Sequence, residues 1–163
     1  MRLRPFYLDD VGWASPLAER VLTHLDTGYG AAIARWAAAP SVDGYAIDDI
    51  HGPLGFILVS TLGLMGAGQT RILEVLALVV HPAHRRRGVG RSLLARAVQD
   101  AKRDAGVREI RLEVAADNVV ARHLFAQAGF TVDRENDGNF AGGQRVMRLG
   151  WRPARPAPSS WNL

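Results

Sequence analysis

Residues Leu76 to Ala95 read L-A-L-V-V-H-P-A-H-R-R-R-G-V-G-R-S-L-L-A, and this order decides the fold. An apolar run stops at Pro82, three arginines and two glycines follow, and apolar residues then recur at helical spacing. Strand, glycine-containing loop and helix in that order aim the unpaired N–H groups of a helix N-terminus into the loop. Such a terminus carries roughly half a positive charge and about four unbonded donors, which suits it to anions. Gly88 and Gly90 lack a Cβ and let an anion reach the backbone closely. Arg85, Arg86, Arg87 and Arg91 add full charges and planar donor forks that match phosphate. A pyrophosphate-bearing ligand is the expected occupant. The competing reading of the triplet is a solvated turn.

The common nucleotide fingerprints do not fit. A mononucleotide P-loop needs G-x-x-x-x-G-K-[ST], and no Lys-Ser or Lys-Thr pair follows a glycine here. A dinucleotide fold needs G-x-G-x-x-G early in a βαβ unit. The pattern is instead R-x-x-G-x-G, preceded by L-x-V-x-P. Over Leu78 to Leu94 it resembles, without a gap, the coenzyme A loop of the GNAT superfamily of acyl-CoA-dependent N-acyltransferases. A second stretch, Leu112 to Phe130, reads L-E-V-A-A-D-N-V-V-A-R-H-L-F-A-Q-A-G-F. It resembles the family's next block: a strand, an Asn at a helix start, then A-x-x-L-[Y/F]-x-x-x-G-F. Two blocks in the right order are far harder to obtain by chance than one. The resemblance is firm over residues 70 to 132 and looser outside them.

Composition agrees with one soluble enzyme domain. A chain of 163 residues, 48% hydrophobic, can bury about two-thirds of its unfolded surface. Residues 1–151 are expected to form a single domain. The tail 152–163, rich in proline and without periodicity, is expected to be mobile. No run of about 18 apolar residues points to a membrane span, and the N-terminus lacks a signal-peptide core, so a cytoplasmic location is expected. The absence of cysteine excludes disulfides, thiolate nucleophiles and Cys-ligated zinc. The net charge of +4 and pI near 10.3 raise the question of nucleic acid. The arginines are spread along the chain, however, and aromatic residues do not interleave with them as a stacking platform requires. Nucleic acid is not expected as a partner.

Element by element, the chain reads as a strand over 2–8 and, capped by Asp9-Asp10, a helix over roughly 10–25. A helix over 30–39 stops before Pro40. Strands at 44–50 and 54–62 flank the turn His51-Gly52-Pro53. The Gly-rich stretch 63–68 leads to a nearly continuous apolar strand at 70–80, as a strand buried on both faces would be. A helix over 89–105, a strand over 108–114, a helix over 119–128 and strands near 130–134 and 144–150 complete the order. This is the GNAT order. It implies an α/β (α+β) fold with a mixed, mostly antiparallel sheet, helices on both faces, and a splay between two central parallel strands.

The resemblance also implies a site. Acetyl-CoA would be the co-substrate, with no metal. Backbone groups of Leu78, Val79 and Val80 would pair with the pantetheine arm in the splay. The pyrophosphate would lie on the amides of Arg86, Arg87, Gly88, Val89, Gly90 and Arg91. Asn118, Arg122 and Phe125 would line the other wall. A backbone N–H near Val80 would polarise the thioester carbonyl.

For the general base the candidate is Glu74, the one ionisable side chain between Ile72 and Val80. Burial in that strand would raise its pKa and suit it to accept a proton. It stands six residues before Val80, the spacing of the base glutamate in the family's histone acetyltransferases. The alternative is a strand-edge Glu paired with Arg71 or another arginine. No general acid is evident. The helix position often occupied by Tyr is Phe125, which has no proton to give, and the expectation is that it packs against the pantetheine end. His81 and His84 flank Pro82 and read as loop histidines, and nothing in the sequence aims His123 inward.

The acceptor, a small-molecule or peptide amine, is not legible. Residues 10–39 and 135–143 would shape its pocket, and Asp133, Glu135 and Asp137 could attract a cation or simply be solvated. A homodimer is left open. Two functions stand: an N-acetyltransferase using acetyl-CoA, or a catalytically silent CoA-binding sensor, which Phe125 keeps in view.

Overall fold

The computed structural model describes residues 1–22, 28–65, 70–136 and 143–150. Seven strands form one sheet: β1 Arg2–Pro5, β2 Val42–Asp49, β3 Gly52–Met65, β4 Thr70–Val80, β5 Val107–Ala115, β6 Thr131–Asn136 and β7 Gln144–Gly150. Their order is β1-β2-β3-β4-β5-β7-β6. Only β4 and β5 run parallel, and the other neighbours are antiparallel. A parallel pair needs a crossover, and α3 (Val89–Arg103) supplies it.

The helices cover both faces, as the sequence implied. α1 (Val11–Leu22) and α2 (Tyr29–Ala37) pack Ala14, Leu17, Ala18 and Ile33 against Phe56, Leu58, Ala77 and Val79. On the opposite face α3 and α4 (Val119–Gln127) bury Val89, Leu93, Leu94, Ala97, Val98 and Phe125 against Ile57, Val75, Ile110, Leu112 and Met147. Leu93 and Leu94 recur with Ala97, Val98 and Ala101 on one side of α3, the i, i+3, i+4 stripe that a one-sided helix shows. Each fully buried leucine contributes roughly 1.5–3 kcal/mol.

Several boundaries differ from expectation, among them β2, which starts at Val42 rather than 44, and β3, which starts at Gly52 rather than 54. The first strand ends at Pro5 rather than continuing to residue 8, because the Asp10 carboxylate accepts the Tyr7 N–H at 2.8 Å and turns the chain into a single 3-10 turn over Leu8–Asp10. The last strands run slightly differently, with β6 extending to Asn136. The expectations for the tail 152–163 and for the acidic residues Glu135 and Asp137 fall on residues, or side chains, outside the described set. Among the described residues no helix is long and apolar enough to cross a membrane.

Candidate active site

The feature that makes a site is a break in the sheet. β4 pairs with β5 only from Arg71 to Val75, the last register pair being Val75 with Leu112. Beyond Val75, β5 turns to β7 alone, pairing Glu113, Val114 and Ala115 with Val146, Arg145 and Gln144. β4 meanwhile stays paired with β3 as far as Val80, opposite Gly55. The β5-facing edge of Leu76 to Val80 is therefore left without a strand. The cause is local. Register with β3 jumps from Ala77–Leu58 to Val75–Val59, so Leu76 is an extra residue, and such a bulge bends the strand that carries it. Backbone groups on that open edge need some partner.

The β4–α3 junction lies beside this opening. Gly88 precedes α3 at φ +81°, and no side chain caps the helix. Arg86 takes φ +60°, the left-handed region that costs a non-glycine residue about 1–2 kcal/mol. Left-handed residues in such a turn can gather successive N–H groups into a concavity suited to an anion. A Cβ on Gly90 would stand 3.5 Å from Val80 Cγ2 and 3.4 Å from Leu124 Cδ2. The helix start, the end of β4 and α4 thus converge on one point. Arg85, Arg86, Arg87 and Arg91 are exposed and have no carboxylate partner among the described residues. Arg87 meets His84 Nδ1 at 2.9 Å, and Arg91 donates to Gln127 at 3.3 Å. No Asp or Glu occurs from residue 75 to 99, so nothing in the sequence nearby neutralises them.

Glu74 projects from the other face of the sheet. Its neighbours Leu73 and Val75 pack with the α3–α4 core, and alternation turns Glu74 toward the α1–α2 side. Burial, and then the Glu113 carboxylate, push its carboxyl above the ordinary range, against the pull of Arg111. Arg71 is not its partner: that guanidinium bonds both Asp104 oxygens, at 2.5 and 2.6 Å. Arg111, the register partner of Glu74, bonds Glu109 instead.

Residues 13–130, most of the chain, match the acetyltransferase (GNAT) family. The chain belongs to that family. An uncharacterised N-acetyltransferase of Methanocaldococcus jannaschii is 27% identical over 97 residues, which are 59% of this chain and 42% of that protein. The chain thus spans less than half the length of that relative. Arabidopsis thaliana NAA60 in complex with acetyl-CoA superposes with a TM-score of 0.78 at 17% identity, covering 91% of this chain and 97% of that one. The ribosomal-protein-S18-alanine N-acetyltransferase of Escherichia coli superposes at 0.70 with 18% identity, covering 91% and 92%. These likenesses establish the GNAT fold.

On this GNAT scaffold the expected wall residues are tied into their own element. Asn118 caps α4, accepting the Ala121 N–H at 3.1 Å, and Arg122 donates to the Ala116 carbonyl at 2.7 Å. Both bonds fix the β5–α4 turn that borders the splay. Phe125 is only 6% exposed and its ring lies 5.9 Å from that of Phe130, so it is a core residue as well as a candidate wall. His81 meets Arg20 at 3.0 Å and accepts the Ala83 N–H at 3.2 Å, and burial, Arg20 and His84 disfavour its protonation. His123 bonds Gln127 on its own helix. Among the described residues no group of three His, Asp or Glu side chains could hold a metal.

Proposed function

We propose that this chain is an N-acetyltransferase that moves an acetyl group directly from acetyl-CoA to an amine. The observation that carries the reading is the open edge of β4 from Leu76 to Val80 beside the uncapped start of α3. An extended amide-bearing arm matches the first, and a pyrophosphate matches the second. The neighbour solved with acetyl-CoA supports that choice.

In this reading the amides of residues 86–91 and the four arginines hold the pyrophosphate. The edge of Leu78 to Val80 orients the pantetheine arm, and the N–H near Val80 polarises the thioester carbonyl. Preorganised donors of that kind lower the barrier because they need not reorient as charge develops. Glu74 takes the proton that the amine loses, directly or through water, as the C–N bond forms and the C–S bond breaks. Its raised carboxyl makes it a better base at neutral pH than an ordinary glutamate. Phe125 cannot donate a proton, so the departing thiolate is protonated by solvent.

The acceptor is a small-molecule or peptide amine. The second reading, a silent CoA-binding module, rests on Phe125 standing where a proton donor is often found. Calorimetric titration with acetyl-CoA tests the site itself. Wild type should bind, and Gly88→Glu, which places a carboxylate at the helix start, should lose most of the affinity. Unchanged affinity in that variant contradicts the phosphate-loop reading.

A further inference from the structure

Glu113 has no part in the proposed transfer so far beyond its charge acting on Glu74, yet its position is specific. Ile110, Leu112 and Val114 of β5 point into the α3–α4 core. Glu109, Arg111 and Glu113 therefore share the opposite face with Glu74. Arg111 is the register partner of Glu74, and Glu113 is the next residue of β5 on that face. Glu113 thus stands diagonal to Glu74, one step beyond its register partner along that face of β5. Pairing between β4 and β5 ends immediately beyond Glu74, at Val75 with Leu112, so Glu113 stands at the mouth of the splay.

Charge balance around Glu74 is also arranged. Arg111 would neutralise it most directly, but its guanidinium is held by Glu109, which Arg148 of β7 also approaches at 3.8 Å. Ser60 of β3, opposite Glu74, carries no charge. From α1, Glu19 accepts the Gly28 and Gly30 N–H groups, and Arg20 reaches His81. Glu113 is exposed and has no hydrogen bond or ion pair to another described residue.

We propose that Glu113 is a positioning residue for acetyl transfer: its carboxylate, facing Glu74 across the mouth of the cleft, keeps Glu74 ready to accept a proton from the acceptor amine. This rests on Glu74 being the base. The effect is electrostatic and needs no contact, because a negative neighbour disfavours the charged form of a carboxyl. Glu113 thereby acts with burial, while the Glu109–Arg111 pair keeps the opposing cation occupied.

Carbon-13 NMR titration of the glutamate carboxyls in the full chain tests this without an acceptor, with the Glu74 signal assigned by its loss in Glu74→Gln. In wild type the Glu74 midpoint should lie above the ordinary glutamate range. It should fall in Glu113→Gln and stay near its wild-type place in Glu113→Asp, which keeps the charge. A midpoint that stays equally high in Glu113→Gln overturns the inference, because burial alone then sets it, and leaves Glu74 standing as base. An ordinary midpoint in wild type overturns both.

Discussion

Gly55 lies directly across from Val80 at the end of β4, and a Cβ placed on it would stand 2.5 Å from the Val79 carbonyl oxygen and 3.2 Å from Val80 Cα. The contact is backbone, so nothing flexible can yield. β3 thereby presses on the segment whose opposite edge is open, and whose N–H is assigned to the thioester carbonyl. Gly55→Ala should cost about 1–3 kcal/mol as overpacking. It should also weaken acetyl-CoA binding, because Val80 must shift. Thermal unfolding and calorimetry on the same sample check both effects.

Arg86 separates stability from binding. Its φ of +60° suits glycine, so Arg86→Gly should leave stability unchanged or raise it by up to about 1 kcal/mol. The same change removes a cation from the proposed pyrophosphate site. A charged hydrogen bond is worth roughly 1.5–3 kcal/mol, which predicts at least about a tenfold loss of acetyl-CoA affinity. Chemical denaturation paired with a binding titration reads the two signs independently.

Glu74→Gln should be more stable than wild type at neutral pH. A carboxyl whose folded pKa is raised binds its proton more tightly in the native state than in the unfolded chain. Wild-type stability from this group is therefore fully present below the ordinary value of 4.5 and is lost as pH rises through the raised one. The melting temperature of the Gln variant should exceed that of wild type at pH 7, and the gap should close in acid. Activity should fall by about 100- to 10,000-fold in the same variant.

Asp10 makes the opposite pH prediction. Burial raises its carboxyl, but bonds from Arg4, the Tyr7 N–H and the Trp13 indole outweigh that and hold it below the ordinary range. The stability it contributes is present above the ordinary value of 3.8 and is lost as pH falls below it. Asp10→Asn should cost about 1–3 kcal/mol at neutral pH, since it breaks the paired bonds from Arg4, which keeps Asp48 as its remaining carboxylate. The deficit, read by denaturant unfolding, should shrink in acid.

Much of this was legible in the chain. The continuous apolar run to Val80 and the stripe from Leu93 to Ala101 on α3 set a buried central strand and its crossover helix, because burial on both faces or on one leaves a periodic trace. The geometry of the β4–α3 junction was legible for the same kind of reason: Gly88 takes φ +81°, which glycine accommodates, and the arginines have no acids nearby in the chain. The bulge at Leu76 left no mark, since an extra apolar residue in an apolar run changes no pattern. Nor did the partner of Arg71, because Asp104 lies beyond a whole helix and only tertiary packing brings it close. Glu113 was within reach. The alternation of Ile110, Leu112 and Val114 already placed it on the face of Glu74, but the neighbourhood of β4 and β5 was needed to give that meaning.

Release of CoA thiol from acetyl-CoA across a panel of amines, with the acetylated product weighed by mass spectrometry, tests the central claim most directly. The account predicts thiol release that depends on one class of amine, appears with equal amounts of acetylated product, and falls about 100-fold or more in Glu74→Gln. Tight acetyl-CoA binding with no amine acetylated anywhere in the panel would contradict it, and would mark the chain as a CoA-binding module.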